Sequence, residues 1–270
     1  MDGRDACVAA LDHGLTVGDG IFETLKVIDG TAFALTRHLA RLRRSALVLG
    51  LEVPLSDDDL VAASIELIVG CRVAGAEPGR LRITITGGPG PLGSGRDHAG
   101  ATVVLAAGPA PEWTPTTAVV TVPWVRNERS ATAGAKTTSY AENVVALAAA
   151  HERGATEAIF TNTVGALCEG TGTNLFVVND GRLRTPSLAT GCLAGITREL
   201  LLEVVVGCGE VADLTTADLR NADEAFLTSS TRDVQPIDTV DGLPLGAAPG
   251  PVTAATITAF AAVQVASLDP

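Results

Sequence analysis

The 270-residue chain is 46% hydrophobic but only 3% aromatic, and it carries a net charge of -12. Its core must be packed from Ala, Val, Leu and Ile, in one large domain or two modest ones. No basic tract offsets the acidity, which argues against nucleic acid or an anionic membrane surface as a partner; no apolar run is long enough to span a bilayer; and five cysteines without Cys-x-x-Cys or Cys/His spacing suggest no metal site and a reduced, cytoplasmic setting.

Gly20 to Val27 reads as a strand running into the Asp29-Gly30 turn, with a second short strand from Thr31 to Leu35. Thr36 is placed to cap a helix reaching about Gly50, and Ser56 to open another reaching about Ala74. Arg80 to Thr86 and Ala101 to Ala107 are expected strands around a glycine-rich loop from Gly87 to Gly95. Pro109, Pro111 and Pro115 cluster around Trp113, which predicts an N-terminal domain over 1–112, a linker over 113–117 and a second domain over 118–270. That second part should hold a strand from Ala118 to Val125, an alanine-rich helix from Ala141 to Arg153, and strands at Glu157 to Thr161 and Thr173 to Val178. An Asn179-Asp180-Gly181 hairpin turn, a helix from Ile196, a strand from Ala225 to Ser229 and a helix from Pro251 to Leu268 complete it.

Lys136 is one of two lysines among 19 basic residues, the others being arginine. A primary amine can lose its proton and attack a carbonyl to form a Schiff base, whereas a guanidinium stays protonated. Lys136 follows the small residues Gly134 and Ala135, which would let a bulky ring approach the backbone. Glu169 is a lone acid flanked by glycines and threonines, suited to face a pyridine nitrogen or to bond turn amides. Leu193-Ala194-Gly195-Ile196-Thr197-Arg198 opens a helix, where free amides and the helix dipole favour phosphate. Thr228-Ser229-Ser230-Thr231 offers consecutive hydroxyls for phosphate or substrate oxygens, and Arg41 lies in a basic helix whose arginines the spacing does not tell apart. An aldehyde that also carries a ring nitrogen and a phosphate would use all of them, and pyridoxal phosphate fits that description.

Taken in order, these segments resemble the class IV aminotransferases, the fold-type IV pyridoxal phosphate enzymes that include D-amino acid aminotransferases, branched-chain aminotransferases and aminodeoxychorismate lyases. The likeness runs from Asp12 to Thr24 through Lys136, Glu169-Gly170-x-x-x-Asn174-Leu175-Phe176 and Gly195 to Arg198, and ends at Gln235-Pro236-Ile237. The resemblance implies an α/β (α+β) fold with a smaller N-terminal α/β domain, a larger cofactor-binding domain with a barrel-like sheet, and the cofactor in the cleft between them. It implies that Lys136 forms the Schiff base and shuttles the substrate proton, and that Glu169 pairs with the ring nitrogen. Leu193 would pack on the ring, while Arg41, Gly195, Ile196, Thr197 and Ser230 would hold the phosphate. A homodimer taking a small amino donor and a 2-oxo acid acceptor is the implied assembly.

For the substrate, Arg96 and His98 look like the Arg-x-His pair with which D-amino acid aminotransferases trap the α-carboxylate, and Arg82 matches an arginine near the substrate in branched-chain enzymes. Phe22 and Thr24 lie on the strand face that the family turns toward substrate; Phe22 replaces a tyrosine common in D-amino acid enzymes, and Tyr140 is the hydroxyl available to substitute. Thr231 is the remaining expected substrate contact. A D-amino acid transaminase, with (R)-amines as a further donor class, is the favoured expectation. Aminodeoxychorismate lyase, branched-chain aminotransferase and a non-catalytic pyridoxal phosphate-binding protein are the alternatives.

Overall fold

A computed structural model of the protein describes residues 8–97 and 100–270. The chain divides into two compact units, the described residues up to Pro111 with Ala135–Tyr140 and Leu268–Pro270, and Glu112–Gly134 with Ala141–Ser267. The linear division at 113–117 would put Lys136 in the later part; instead its short segment clusters with the first unit.

The first unit contains α1 (His13–Thr16), β1 (Gly20–Ile28), β2 (Thr31–Ala32), α2 (Leu35–Leu49), α3 (Asp57–Val73), β3 (Arg80–Thr86) and β4 (Thr102–Gly108). Its four strands form an antiparallel sheet in the order β2-β1-β3-β4. Side chains alternate across a strand, so Ile21, Leu25 and Val27 of β1 join Leu81, Ile83 and Ile85 of β3 in a core with Leu39 and Leu42 of α2 and Leu60 and Ile68 of α3. The same alternation turns Phe22 and Thr24 to the opposite face, where Thr24 is paired with Arg82 and Phe22 with Thr84.

Ala34, in the left-handed region at φ 55°, is the N-cap of α2, one position before the helix and two before the expected cap. Thr36 falls inside the first turn, and its amide is taken up by the Asp269 carboxylate at 3.0 Å. The expectation for α3 matches: Ser56 accepts from the Asp59 amide while the Asp59 side chain accepts from Ser56, a closed capping box.

The second unit comprises β5 (Thr117–Arg126), α4 (Ala141–Glu152), β6 (Glu157–Asn162), β7 (Leu167–Gly170), β8 (Asn174–Asn179), β9 (Arg182–Pro186), α5 (Ile196–Val204), β10 (Gly209–Val211), α6 (Thr216–Arg220), β11 (Glu224–Ser229), β12 (Asp233–Val240), β13 (Leu243–Pro244) and α7 (Pro251–Ala266). Its mixed sheet runs β10-β9-β8-β11-β12-β5-β6-β7, with β13 beside β12. The β5–β6 pair is parallel, which requires a crossover, and α4 supplies it. Because β7 at one end also lies against β8 and β9, the sheet curls back on itself as a half-barrel. Val119, Ile159, Leu175, Val177, Leu227 and Ile237 fill one side, and Val120, Phe160, Ala146 and Ala150 pack under α4. No helix among the described residues is long and apolar enough to cross a membrane.

Replacing Ser56 with alanine removes one half of the α3 capping box. A stability loss of about 1 kcal/mol is expected, read as a lower urea midpoint with an unchanged m-value.

Candidate active site

In the first unit, Lys136 is fixed from three sides. The Lys136 carbonyl accepts from the Phe22 amide at 3.0 Å and the Thr138 amide donates to the Gly20 carbonyl at 2.8 Å, so residues 136–138 pair with the start of β1. From α2, Ser45 Oγ accepts from the Lys136 amide at 3.0 Å. The side chain then runs over the outward face of β1. Its Nζ is 4.4 Å from the Phe22 ring centroid and donates to Tyr140 Oη at 3.3 Å. Tyr140 meets Phe22 edge-on at 5.1 Å, and the Arg82 guanidinium stacks 3.6 Å from the Phe22 centroid. Burial lowers the pKa of Arg82 from its usual value, without threatening its charge. The first unit therefore gathers Lys136, Tyr140, Phe22 and Arg82, with Thr24 beside Arg82 in register. Among the described residues, the Lys136 ammonium has no carboxylate partner.

Behind this face lies a group that sequence reasoning missed. Glu23 occupies a core-facing position of β1 with no exposed surface. Arg41 clasps it with Nε at 2.8 Å from Oε1 and Nη2 at 2.6 Å from Oε2, and His38 Nδ1 lies 2.7 Å from Oε2. Burial alone would raise the Glu23 pKa, but the Arg41 charge and hydrogen bonds, with His38, override it and bring it down to about 2. Burial in turn lowers the His38 pKa, so the imidazole is neutral and donates to the carboxylate. Arg41, His38 and Ser45 form one buried polar stripe on α2, which separates Arg41 from its solvated neighbour Arg44. The signal was present in the alternation: an acid stood between Ile21 and Leu25.

Arg96 is committed elsewhere. Its Nε and Nη2 clasp Asp19 at 2.7 and 2.6 Å, and its Nη1 and Nη2 donate to the Gly50 and Leu49 carbonyls at 2.8 Å each. Hydrogen bonding to Arg96 holds Asp19 below its ordinary pKa. His98 lies outside the described residues.

In the second unit, Glu169 lies on β7, opposite Phe160 of β6. Its Oε2 accepts from the Leu193 amide at 2.9 Å. Arg126 Nε stands 3.2 Å from Oε1, an ion pair whose angle leaves that N–H without a hydrogen-bond acceptor. The Arg126 guanidinium is steadied over Phe160 at 4.1 Å and by Asn143 Oδ1 at 3.0 Å. Asn174 Nδ2 donates to the Leu193 carbonyl at 2.9 Å, so both backbone groups of Leu193 are held. A Cβ on Gly195 would stand 1.9 Å from Asn174 Oδ1, so a side chain there would displace the amide that holds Leu193. Gly195 is the N-cap of α5 and brings no side chain to its amides, while Ile196 and Thr197 are buried in the first turn. Thr228 is the cross-strand partner of Asn174, and its buried hydroxyl has no hydrogen-bond partner. Ser230 and Thr231 follow in the loop, partly exposed, after Ser229, whose Oγ accepts from the Arg232 amide.

The pattern of the amino-transferase class IV family matches residues 20–240. The chain belongs to that family. It is 30% identical to a D-alanine aminotransferase of Bacillus licheniformis over 96% of this chain and 93% of that one. It is 28% identical to an aminodeoxychorismate lyase of Bacillus subtilis, over 94% and 89%. Among solved structures, the branched-chain amino acid aminotransferase of Escherichia coli matches with a TM-score of 0.86 at 27% identity, covering 96% of this chain and 90% of that one.

Class IV aminotransferases depend on pyridoxal phosphate. The residues of this class IV chain fit that group. The first unit offers a primary amine with no acid beside it, and the second offers a carboxylate, a helix start without a side-chain cap and an orphaned buried hydroxyl at Thr228.

The Glu23 cluster gives a testable pH dependence. Its folded pKa is depressed, so the stability it confers is complete above about pH 4.5 and is lost as pH falls toward 2. Glu23→Gln, which strands the Arg41 charge, is expected to cost on the order of 3 kcal/mol at neutral pH. In urea titrations its deficit against the parent should shrink steadily across that acid window.

Proposed function

We propose that this chain is a transaminase that moves an amino group between an amino acid, D-amino acids first, and a 2-oxo acid. The observation that carries the reading is the placement of the Lys136 amine over Phe22, beside Tyr140 Oη and without a carboxylate partner among the described residues. Bound pyridoxal phosphate supplies an aldehyde for that amine and an electron-accepting ring. Lys136 would then move the proton at the substrate α-carbon, with Tyr140 Oη steering the amine. Glu169, held by Arg126 and the Leu193 amide, would pair with the ring nitrogen. Leu193 would pack on the ring, and Gly195, Ile196, Thr197, Ser230 and Arg41 would hold the phosphate. Thr24 and Thr231 line the substrate side, and the assembly is a homodimer.

The α-carboxylate needs a fixed cation, and two arginines were candidates. Arg82 stands on the Phe22 ring beside the amine, whereas the Arg96 donors are taken by Asp19 and two carbonyls. The carboxylate contact therefore goes to Arg82. D-amino acids come first because the D-alanine aminotransferase of B. licheniformis aligns over nearly the whole chain. The B. subtilis lyase aligns almost as fully, which supports a second reading, elimination of pyruvate from aminodeoxychorismate.

Incubated with D-alanine, the holoenzyme should convert its cofactor to the pyridoxamine form and then pass the amino group to 2-oxoglutarate. Release of p-aminobenzoate from aminodeoxychorismate without a keto acid, and no half-reaction with any amino acid, would establish the lyase instead. Lys136→Ala should abolish the near-visible absorbance band and turnover together; turnover surviving that change would end the reading. Arg82→Gln is expected to lower kcat/KM for the amino donor by about a hundredfold, the worth of a charge-assisted carboxylate contact. Arg96→Gln should lower the denaturation midpoint and leave kcat/KM within a few fold.

A further inference from the structure

Glu157 is a buried acid of the second unit with several partners, and the chemistry just described does not use it. It opens β6 with almost no exposed surface. Its Oε1 accepts from the Thr171 amide at 2.9 Å, from the Thr171 hydroxyl and from the Ala158 amide at 3.1 Å. Oε2 accepts from the Thr173 hydroxyl at 3.2 Å and lies 3.6 Å from Arg232 Nη2. The turn after Glu169 is thereby wrapped around this one carboxylate. That turn closes on itself, with the Gly170 amide donating to the Thr173 carbonyl at 2.8 Å, and a Cβ on Gly170 would stand 2.1 Å from Thr173 Oγ1.

The other partner of Glu157 sits in the hydroxyl loop. Arg232 stacks 3.8 Å from the Trp113 centroid, donates from Nη1 to Gln235 Oε1 at 2.6 Å and from Nη2 to the Thr156 carbonyl at 3.4 Å. Its backbone amide donates to Ser229 Oγ at 3.1 Å, which ties the start of the Ser229–Arg232 turn to its end. An arginine with its guanidinium fixed at four points fixes its own backbone, and so the loop that carries Ser230 and Thr231. Buried charges are costly unless paired, and here the pairing links the Thr171–Thr173 turn to the hairpin turn that joins β11 to β12.

We propose that Glu157 is a positioning residue: anchored by Thr171 and Thr173, it holds Arg232 and thereby sets the Ser229–Thr231 loop in the shape that grips the cofactor phosphate. The inference rests on the pyridoxal phosphate reading above and adds a residue that touches neither cofactor nor substrate. It predicts a defect confined to the phosphate end. A residue needed only for folding would weaken all cofactor binding alike.

The test compares equilibrium binding of pyridoxal phosphate and of pyridoxal, which has the aldehyde and ring but no phosphate, to the full chain and to Glu157→Gln, followed by near-visible absorbance. The dissociation constant for pyridoxal phosphate should rise about tenfold or more, while that for pyridoxal stays within about twofold. Equal weakening of both ligands, or of neither, overturns the proposal. Arg232→Gln should reproduce the pattern, and Glu157→Gln with Arg232→Gln should be no worse than either alone. If Glu157→Gln does not fold, Arg232→Gln decides by the same two constants. Failure of the unsubstituted chain to take up either ligand would instead remove the parent reading.

Discussion

The backbone pairing of residues 136–138 with the start of β1 is the constraint on which the proposed chemistry depends. A lysine side chain has four flexible carbons and carries about 2 kcal/mol of rotamer entropy, so its amine can be aimed only from a fixed main chain. Two strand-like bonds to Phe22 and Gly20 and one from Ser45 fix it on both sides. Thr138 and Ser139 then both donate their hydroxyls to the Gly18 carbonyl, which closes the segment at its far end. The amine itself then meets Tyr140 Oη at 3.3 Å beside the Phe22 ring.

The strand beneath it sorts charge by parity. Odd positions of β1 face the core, and there Glu23 holds Arg41 and His38; even positions face outward, and there Phe22 carries Lys136 and Arg82. A chain with net charge -12 repels anions at a distance. Two cations within reach of one ring reverse that locally, and a carboxylate at such a spot meets the local field rather than the net one, since exposed charges beyond about 10 Å are screened by salt.

Much of this was legible in residues taken in order. The strands β1, β3, β5, β6 and β11 and the helices α3, α4 and α7 follow from alternation, caps and alanine richness, because those signals are local. The misses have non-local causes. Thr36 reads as a cap, but its amide is satisfied by Asp269, more than 200 positions away in sequence. The strand β7 is four residues long and gains its identity from pairing with β6, which no short window reveals. The segment at Lys136 lies between β5 and α4 in sequence yet pairs with β1. Arg96 shows the same limit in chemistry: its spacing to His98 suggests a carboxylate trap, and only the fold reveals that Asp19 already occupies the guanidinium.

The scarcity of lysine now has a physical sense. Four acids, Glu23, Asp19, Glu169 and Glu157, each meet an arginine, respectively Arg41, Arg96, Arg126 and Arg232. A guanidinium is planar and cannot be deprotonated, and it can meet both oxygens of a carboxylate at once, as Arg41 and Arg96 do, so it serves wherever a loop or helix must be held at a set distance. An ammonium in those places would swivel. Conversely, an acid paired with Lys136 would hold the amine in place and compete with its attack on an aldehyde. On the proposed reading, the division of labour between the two cations is a division between holding and reacting, and the absence of a carboxylate beside Lys136 among the described residues belongs to the same arrangement as the presence of one beside each of those four arginines.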